Sequence, residues 1–209
     1  MLTLYGHPIS SYTWKVLTAL YENGTPFESV TVDQNTYAAF IAKWPMGKFP
    51  ILIDGGRMIT ETSVIIEYLD RYHPGHTRFV PEDFDTALEV RRWDRVFDHL
   101  NTTLTKIVID NIRPDDQRDP YGVEEAKRVI GGIYTVVEAQ LGERSFIVGD
   151  SVTMADCSAA PALWYGTRNA PLDGAFPRIA AYLERLKAWP AFARAVKESE
   201  PLFHMYPGA

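Results

Sequence analysis

Four short stretches of this chain hold residue types that could do chemistry. In Tyr5-Gly6-His7-Pro8-Ile9-Ser10-Ser11-Tyr12, paired hydroxyls stand where a strand pattern gives way to a helix pattern. A serine at that junction caps the helix, which is worth about 1 kcal/mol. The same hydroxyl can instead donate to a thiolate held at the positive end of the helix. A free thiol of pKa about 8.5 is only about 3% ionised at pH 7, and lowering its pKa by about two units makes most of it thiolate. That requires about 2.7 kcal/mol, within reach of one charge-assisted hydrogen bond plus a helix terminus. Gly47-Lys48-Phe49-Pro50 opens a strand. A trans proline there punctuates an edge strand, the commoner case. A cis proline turns the Phe49 backbone outward, free to pair with a peptide-like ligand.

Thr60-Glu61-Thr62-Ser63 joins a hairpin to a helix. Thr60 or Thr62 can cap that helix, with Glu61 favourable at the positive end of its dipole. The same free N–H groups bind a carboxylate, and Glu61 beside them can accept from an ammonium, which together suits an α-amino acid head group. In Gly149 to Ala160, Thr153 and Asp156 are spaced as a capping box, with Val152 and Cys157 placed as a hydrophobic staple. The expected role is helix nucleation, with Cys157 in the core. No glycine-rich phosphate loop, metal-ligand cluster or Ser-His-Asp pattern is present, and the five histidines lie apart.

The elements that must position these residues follow from periodicity. Strands are expected at Leu2 to Tyr5, Phe27 to Val32, Phe49 to Ile53 and Arg57 to Ile59, the last two joined by the tight turn Asp54-Gly55-Gly56. Helices fall between and after them, at Tyr12 to Glu22, Tyr37 to Lys43 and Thr62 to Tyr72. The order is βαβαββα: a parallel unit, an antiparallel hairpin and a covering helix. His73 to Phe84 has turn formers and no periodicity. Beyond it every segment reads as helix, from Asp85 to Asn111 through Val123 to Leu141, Thr153 to Trp164, Pro177 to Trp189 and Ala191 to Glu198. Two domains are expected, an α/β domain over 1–76 and an all-α domain over 85–209, with a linker at 77–84.

Composition bounds the function. The 209 residues are 46% hydrophobic and 23% charged, ordinary for a soluble globular protein. A net charge of -6 with no run of Lys and Arg argues against nucleic acid and anionic membranes as partners. Cys157 stands alone, which excludes an intramolecular disulfide and a cysteine-built metal site and fits a cytoplasmic setting. The chain opens on a strand pattern, not a signal segment, and no apolar run approaches the ~20 residues of a membrane span.

Taken in order, "SSYTWKV", "WPMGKFPIL", "ETSVIIEYL" and "GDSVTMAD" resemble the markers of the cytosolic glutathione S-transferases, over essentially the whole chain. The resemblance is to a serine-type, zeta- or theta-like bacterial member. It implies a thioredoxin-like domain followed by an all-helical one, glutathione as co-substrate, no metal, and a homodimer. By position, Ser10 would activate the glutathione sulfur. Phe49, before a cis Pro50, would pair with the cysteinyl part. Glu61 and Thr62 would hold the γ-glutamyl head group, and Lys48 the glycyl carboxylate, with Gln34 or Asn35 helping. A hydrophobic electrophile would lie against Ile9, Tyr12, the stretch from Leu104 to Ile112, Trp164 and Tyr165. Tyr5 is the second candidate for the sulfur, close to where tyrosine-type members carry their phenol. Against the zeta pattern Ser-Ser-Cys-Ser-Trp-Arg, Tyr12 replaces Cys and Lys15 replaces Arg. A glutathione-dependent isomerase or peroxidase, or a non-enzymatic protein keeping the fold, are the alternatives.

Overall fold

A computed structural model describes residues 1–208. Strand β1 (Leu2–Gly6) pairs parallel with β2 (Phe27–Thr31) across helix α1 (Ser11–Glu22). Strand β3 (Ile51–Asp54) pairs antiparallel with β1, and β4 (Arg57–Ile59) antiparallel with β3, giving the order β2-β1-β3-β4. Helix α2 (Tyr37–Lys43) lies between β2 and β3, and α3 (Thr62–Tyr72) follows β4. The expected βαβαββα order is present; β3 starts two residues later than periodicity suggests, and the Phe49–Pro50 bond before it is cis.

The helical part contains α4 (Phe84–Asn111), α5 (Pro120–Leu141), α6 (Met154–Asn169), α7 (Pro177–Ala188) and α8 (Pro190–Ser199). Helix α4 starts at Phe84, the last residue of the expected linker, with Asp83 as its cap. The linker is pinned rather than loose: the Asp70 carboxylate accepts from the N–H groups of Phe79 and Val80. Gly131 and Gly132 do not break α5, whose Ile130, Ile133, Tyr134 and Val137 are packed into the core. Helix α6 runs five residues past Trp164 and carries Pro161 inside it. A 3-10 segment, Glu200–Met205, follows α8 and has no counterpart in the sequence reading.

The domains share one core. Helix α1 reads as amphipathic, yet every residue from Thr13 to Leu20 is buried, because the helix packs among α3, α6 and α8 and its apolar residues share a cluster with Leu2, Leu4 and Leu52 of the sheet. Trp14 is the hub: its ring meets Trp164, Tyr165, Phe192 and Phe203 at 5.0–5.8 Å, and its indole N–H donates to Ser199 Oγ at 2.9 Å. Asp156 does more than cap α6. Its carboxylate accepts from the Thr153 N–H (2.8 Å) and hydroxyl (2.9 Å), the Ile147 N–H and the Tyr182 hydroxyl, joining α6 to α7. Burial pushes its pKa up against these bonds. Cys157, next to it, is fully buried, and burial raises its thiol pKa well above the ordinary value.

Candidate functional site

Two adjoining cavities, of about 420 and 430 Å³, lie along the junction of the domains and share Tyr12, Phe49 and Thr105. The first is floored by the sheet domain: Lys48, Phe49, Pro50 and the run from Thr60 to Thr62. The second is lined by His7, Ile9, Ser10 and Ser11 on one side, and by α4, Tyr165 and the segment at Tyr206 and Pro207 on the other.

The N-termini of α1 and α3 face these cavities in different states. Ser10 is the N-cap of α1, and its Oγ accepts from the Thr13 N–H at 3.3 Å. That bond uses a lone pair and leaves the hydroxyl proton free to donate. Capping and donation to a ligand are therefore not rival roles for Ser10. Helix α3 begins without a side-chain cap. Thr60 and Thr62 do not close it, so the first N–H groups of α3 are available to an anion beside the cavity. Its N-cap, Glu61, sits at φ 65° and ψ 119°, a region that side chains other than glycine rarely adopt. The Glu61 side chain is exposed, and Thr62 is 7% exposed.

Phe49 stands two residues before the ladder that begins at Ile51, and its backbone N–H and C=O make no hydrogen bond among the described residues. Its ring packs against Phe40 (6.3 Å) and His7 (6.2 Å). His7 Nδ1 accepts weakly from the Ile9 N–H at 3.4 Å, and burial lowers the imidazole pKa, opposed by Asp33. Tyr12 closes the gap between the cavities. Its hydroxyl meets Thr102 Oγ1 at 3.0 Å and the Asp98 carbonyl at 3.3 Å, and burial raises its pKa.

Beneath the first cavity is a buried charge cluster that residue types alone did not reveal. Lys15, 0% exposed, has its ammonium 2.6 Å from Asp94 and 3.0 Å from Asp98. Ser63 donates to Asp94 and accepts from Lys15, and Arg95 caps the group from outside through Asp98 and Ser63. Burial raises the Asp98 pKa even though Lys15 and Arg95 pull it down. The cluster ties α1 and α3 of the sheet domain to α4 of the helical one.

The structure gathers Ser10, Lys48, Phe49, Pro50, Glu61, Thr62, Ile9, Tyr12 and Tyr165 at the cleft. It leaves five expected residues elsewhere. Gln34 and Asn35 are exposed on the loop before α2, where the Asn35 N–H is used in a turn closed by Asp33. Trp164 is 6% exposed, behind Tyr165. One step along α6 turns a side chain by about 100°, so Tyr165 reaches the cavity and Trp164 the core, with Arg168 stacked on its ring. Ile112 is 65% exposed at the end of α4, past the last α4 residue that lines the cavity, Val108. Tyr5 stacks on Phe40 and lines neither cavity. Among the residues not anticipated are Arg95, Asp98, Asn101 and Thr102 on α4, and Tyr206 and Pro207 after the 3-10 segment. Alternating charge on α4 reads as an ordinary solvated face, and Tyr206 follows no periodic segment. Among the described residues no group of three or more His, Cys, Asp or Glu is placed to hold a metal, and no helix is long and apolar enough to cross a membrane.

Fold and cleft together define a two-domain protein: a thioredoxin-like unit joined to a helical bundle, with its open site along the junction. The chain matches the family descriptions "Glutathione S-transferase, N-terminal domain" over residues 4–77 and "Glutathione S-transferase, C-terminal domain" over residues 120–185. It is 33% identical to glutathione S-transferase 3 of Zea mays over 208 residues, 93% of each chain. It is 30% identical to glutathione S-transferase F13 of Arabidopsis thaliana, over 92% of this chain and 94% of that one. A solved glutathione S-transferase of Methylobacterium radiotolerans, in complex with glutathione sulfonate, superposes with a TM-score of 0.83 at 29% identity, covering 93% of this chain and 94% of that one. The chain belongs to the glutathione S-transferase family.

Proposed function

We propose that this protein is a serine-type glutathione transferase, which ionises the glutathione thiol beside Ser10 and directs it at a hydrophobic electrophile. The observation that carries this reading is the pair of helix starts on one cleft. Ser10 has a spare proton, the start of α3 is uncapped, and the unpaired backbone of Phe49 lies between them. An α-amino acid head group fits the α3 end: its carboxylate takes the free N–H groups and the Thr62 hydroxyl, and its ammonium takes Glu61. The cysteinyl amide pairs with Phe49, and Lys48 reaches the glycyl carboxylate. Gln34 and Asn35 receive no role.

The sulfur then lies at the second cavity, beside Ser10. The thiol proton leaves to solvent, and the Ser10 hydroxyl and the α1 dipole hold the thiolate. The thiolate forms a C–S bond to an electrophile lying against Ile9, Leu104, Val108 and Tyr165. A leaving group departs with its electron pair, or the π electrons of an activated double bond shift and are protonated. Rate comes from thiol ionisation and proximity. The reading rests on the serine, not on a class: the relatives named above carry neither a zeta nor a theta name. A homodimer and a cytoplasmic site of action belong to the same proposal, supported by family membership and by the lone, buried Cys157.

Calorimetric titration with glutathione, followed by assays with benzyl chloride, an activated enone, cumene hydroperoxide and maleylacetoacetate, tests it. Conjugation of either of the first two supports a transferase. Turnover of only the last two substitutes a peroxidase or isomerase, and no glutathione binding at millimolar concentration defeats the glutathione reading altogether.

A further inference from the structure

Asn101 sits in the middle of α4, 2% exposed, and neither its amide nitrogen nor its amide oxygen has a hydrogen-bond partner among the described residues. Asparagine is a poor helix-interior residue, and one in this position commonly bonds back to the preceding turn. This one does not, so its amide has desolvated without compensation. It also lines the second cavity.

Of the other polar groups of that cavity, His7 and Ser11 lie on the sheet-domain side with Ser10, and those facing them are largely committed. The Tyr165 hydroxyl donates to the Ile9 carbonyl at 2.6 Å, and the Tyr206 hydroxyl accepts from Asn169 at 2.7 Å. Tyr12 is engaged with Thr102, Thr105 Oγ1 donates to the Asn101 carbonyl at 2.9 Å, and Ser10 is assigned to the sulfur. The Asn101 side chain is the one amide lining this apolar space, and it offers one acceptor and two donors at once.

We infer that Asn101 is the polar anchor of the electrophile cavity, and that it selects co-substrates carrying a carbonyl next to an N–H or O–H, such as secondary amides and hydroxy-carbonyl compounds. The amide N–H takes the carbonyl and the amide oxygen takes the adjacent donor, a two-point contact that satisfies both free atoms together. An apolar co-substrate satisfies neither. This inference rests on the glutathione reading, which places the sulfur beside Ser10 and the co-substrate beyond it.

Stable thioethers test it without turnover. S-(N-phenylcarbamoylmethyl)glutathione carries a carbonyl and an N–H just past the sulfur; S-phenylpropylglutathione has similar length and neither group. Both, and glutathione itself, are titrated calorimetrically into the wild-type protein and into Asn101→Leu, a variant with the same side-chain branching. The wild type is expected to bind the carbamoyl compound more tightly than the phenylpropyl one, and the ratio of the two constants to fall at least tenfold in the variant, reversing the order. The variant's melting temperature is expected to rise, since an uncompensated buried amide has been removed. A ratio that moves less than twofold while all ligands bind would overturn the anchor alone, leaving Asn101 served by a buried water. A wild type that binds none of the three ligands overturns the glutathione reading and the anchor with it.

Discussion

Replacing Ser10 by alanine removes two interactions of different size, and the structure separates them. The cap is weak: Oγ lies 3.3 Å from the Thr13 N–H, near the long limit for such a bond. Its loss is worth about 0.5 kcal/mol, at the low end for a cap, and lowers Tm by about 1–2 °C in a chain of this length. The second interaction, a hydroxyl donating to a thiolate, is charge-assisted and worth about 1.5–3 kcal/mol. At about 1.4 kcal/mol per pKa unit, its loss raises the bound thiol by about one to two units. Turnover near neutral pH then drops by about tenfold to a hundredfold, while glutathione affinity changes little. The assay is the pH dependence of kcat/KM with benzyl chloride, paired with ultraviolet titration of the thiolate of bound glutathione. Ser10→Thr, which keeps the hydroxyl, is expected to retain most of the shift. If Ser10→Ala leaves the thiol pKa in place, or if Tyr5→Phe abolishes activity instead, the reasoning from helix α1 fails.

Glu61→Gly relaxes a backbone held at φ 65°; the relief of about 1–3 kcal/mol roughly offsets glycine's entropic cost of about 0.5–1 kcal/mol or exceeds it. The variant is expected to melt no lower than wild type yet bind glutathione at least tenfold more weakly; a large drop in Tm would contradict the strain. Lys15→Met leaves Asp94 and Asp98 without their shared cation, and is expected to cost about 3–5 kcal/mol of stability in denaturant unfolding; a loss under about 1 kcal/mol would show that Arg95 and Ser63 suffice. His7 has its pKa lowered by burial, so the folded state binds fewer protons than the unfolded chain just below about pH 6.5. Its contribution to stability is complete above that pH and is lost as pH falls toward the folded pKa. The wild type minus His7→Gln difference in unfolding free energy should therefore shrink on acidification across this window, and a difference independent of pH would refute the shift.

The sheet domain was legible because its signals are local. Asp54-Gly55-Gly56 announces a hairpin, and both strands beside it lie within two residues of their expected bounds. The placement of Ser10, Phe49 and Glu61 at the cleft was legible for the same reason, since each sits at a strand or helix end that its neighbours mark. The lining of the second cavity was not. Whether Trp164 or Tyr165 faces the cavity depends on how α6 is rotated against α1, which α6's own residues, nearly all of them buried, do not report. Lys15 reads as a surface charge until α4 is placed against α1 with two carboxylates aimed at it. Asn101 carries no signal at all until one asks what its amide touches.

Cys157 has a consequence for a protein that works among reactive compounds. Its sulfur is sealed inside α6 and kept protonated by its surroundings. Soft alkylating agents drawn into the cleft meet the guest tripeptide's thiol and no thiol of the host, so the catalyst is spared cysteine alkylation by its own reactants. Incubation with excess iodoacetamide under native conditions should leave its intact mass unchanged.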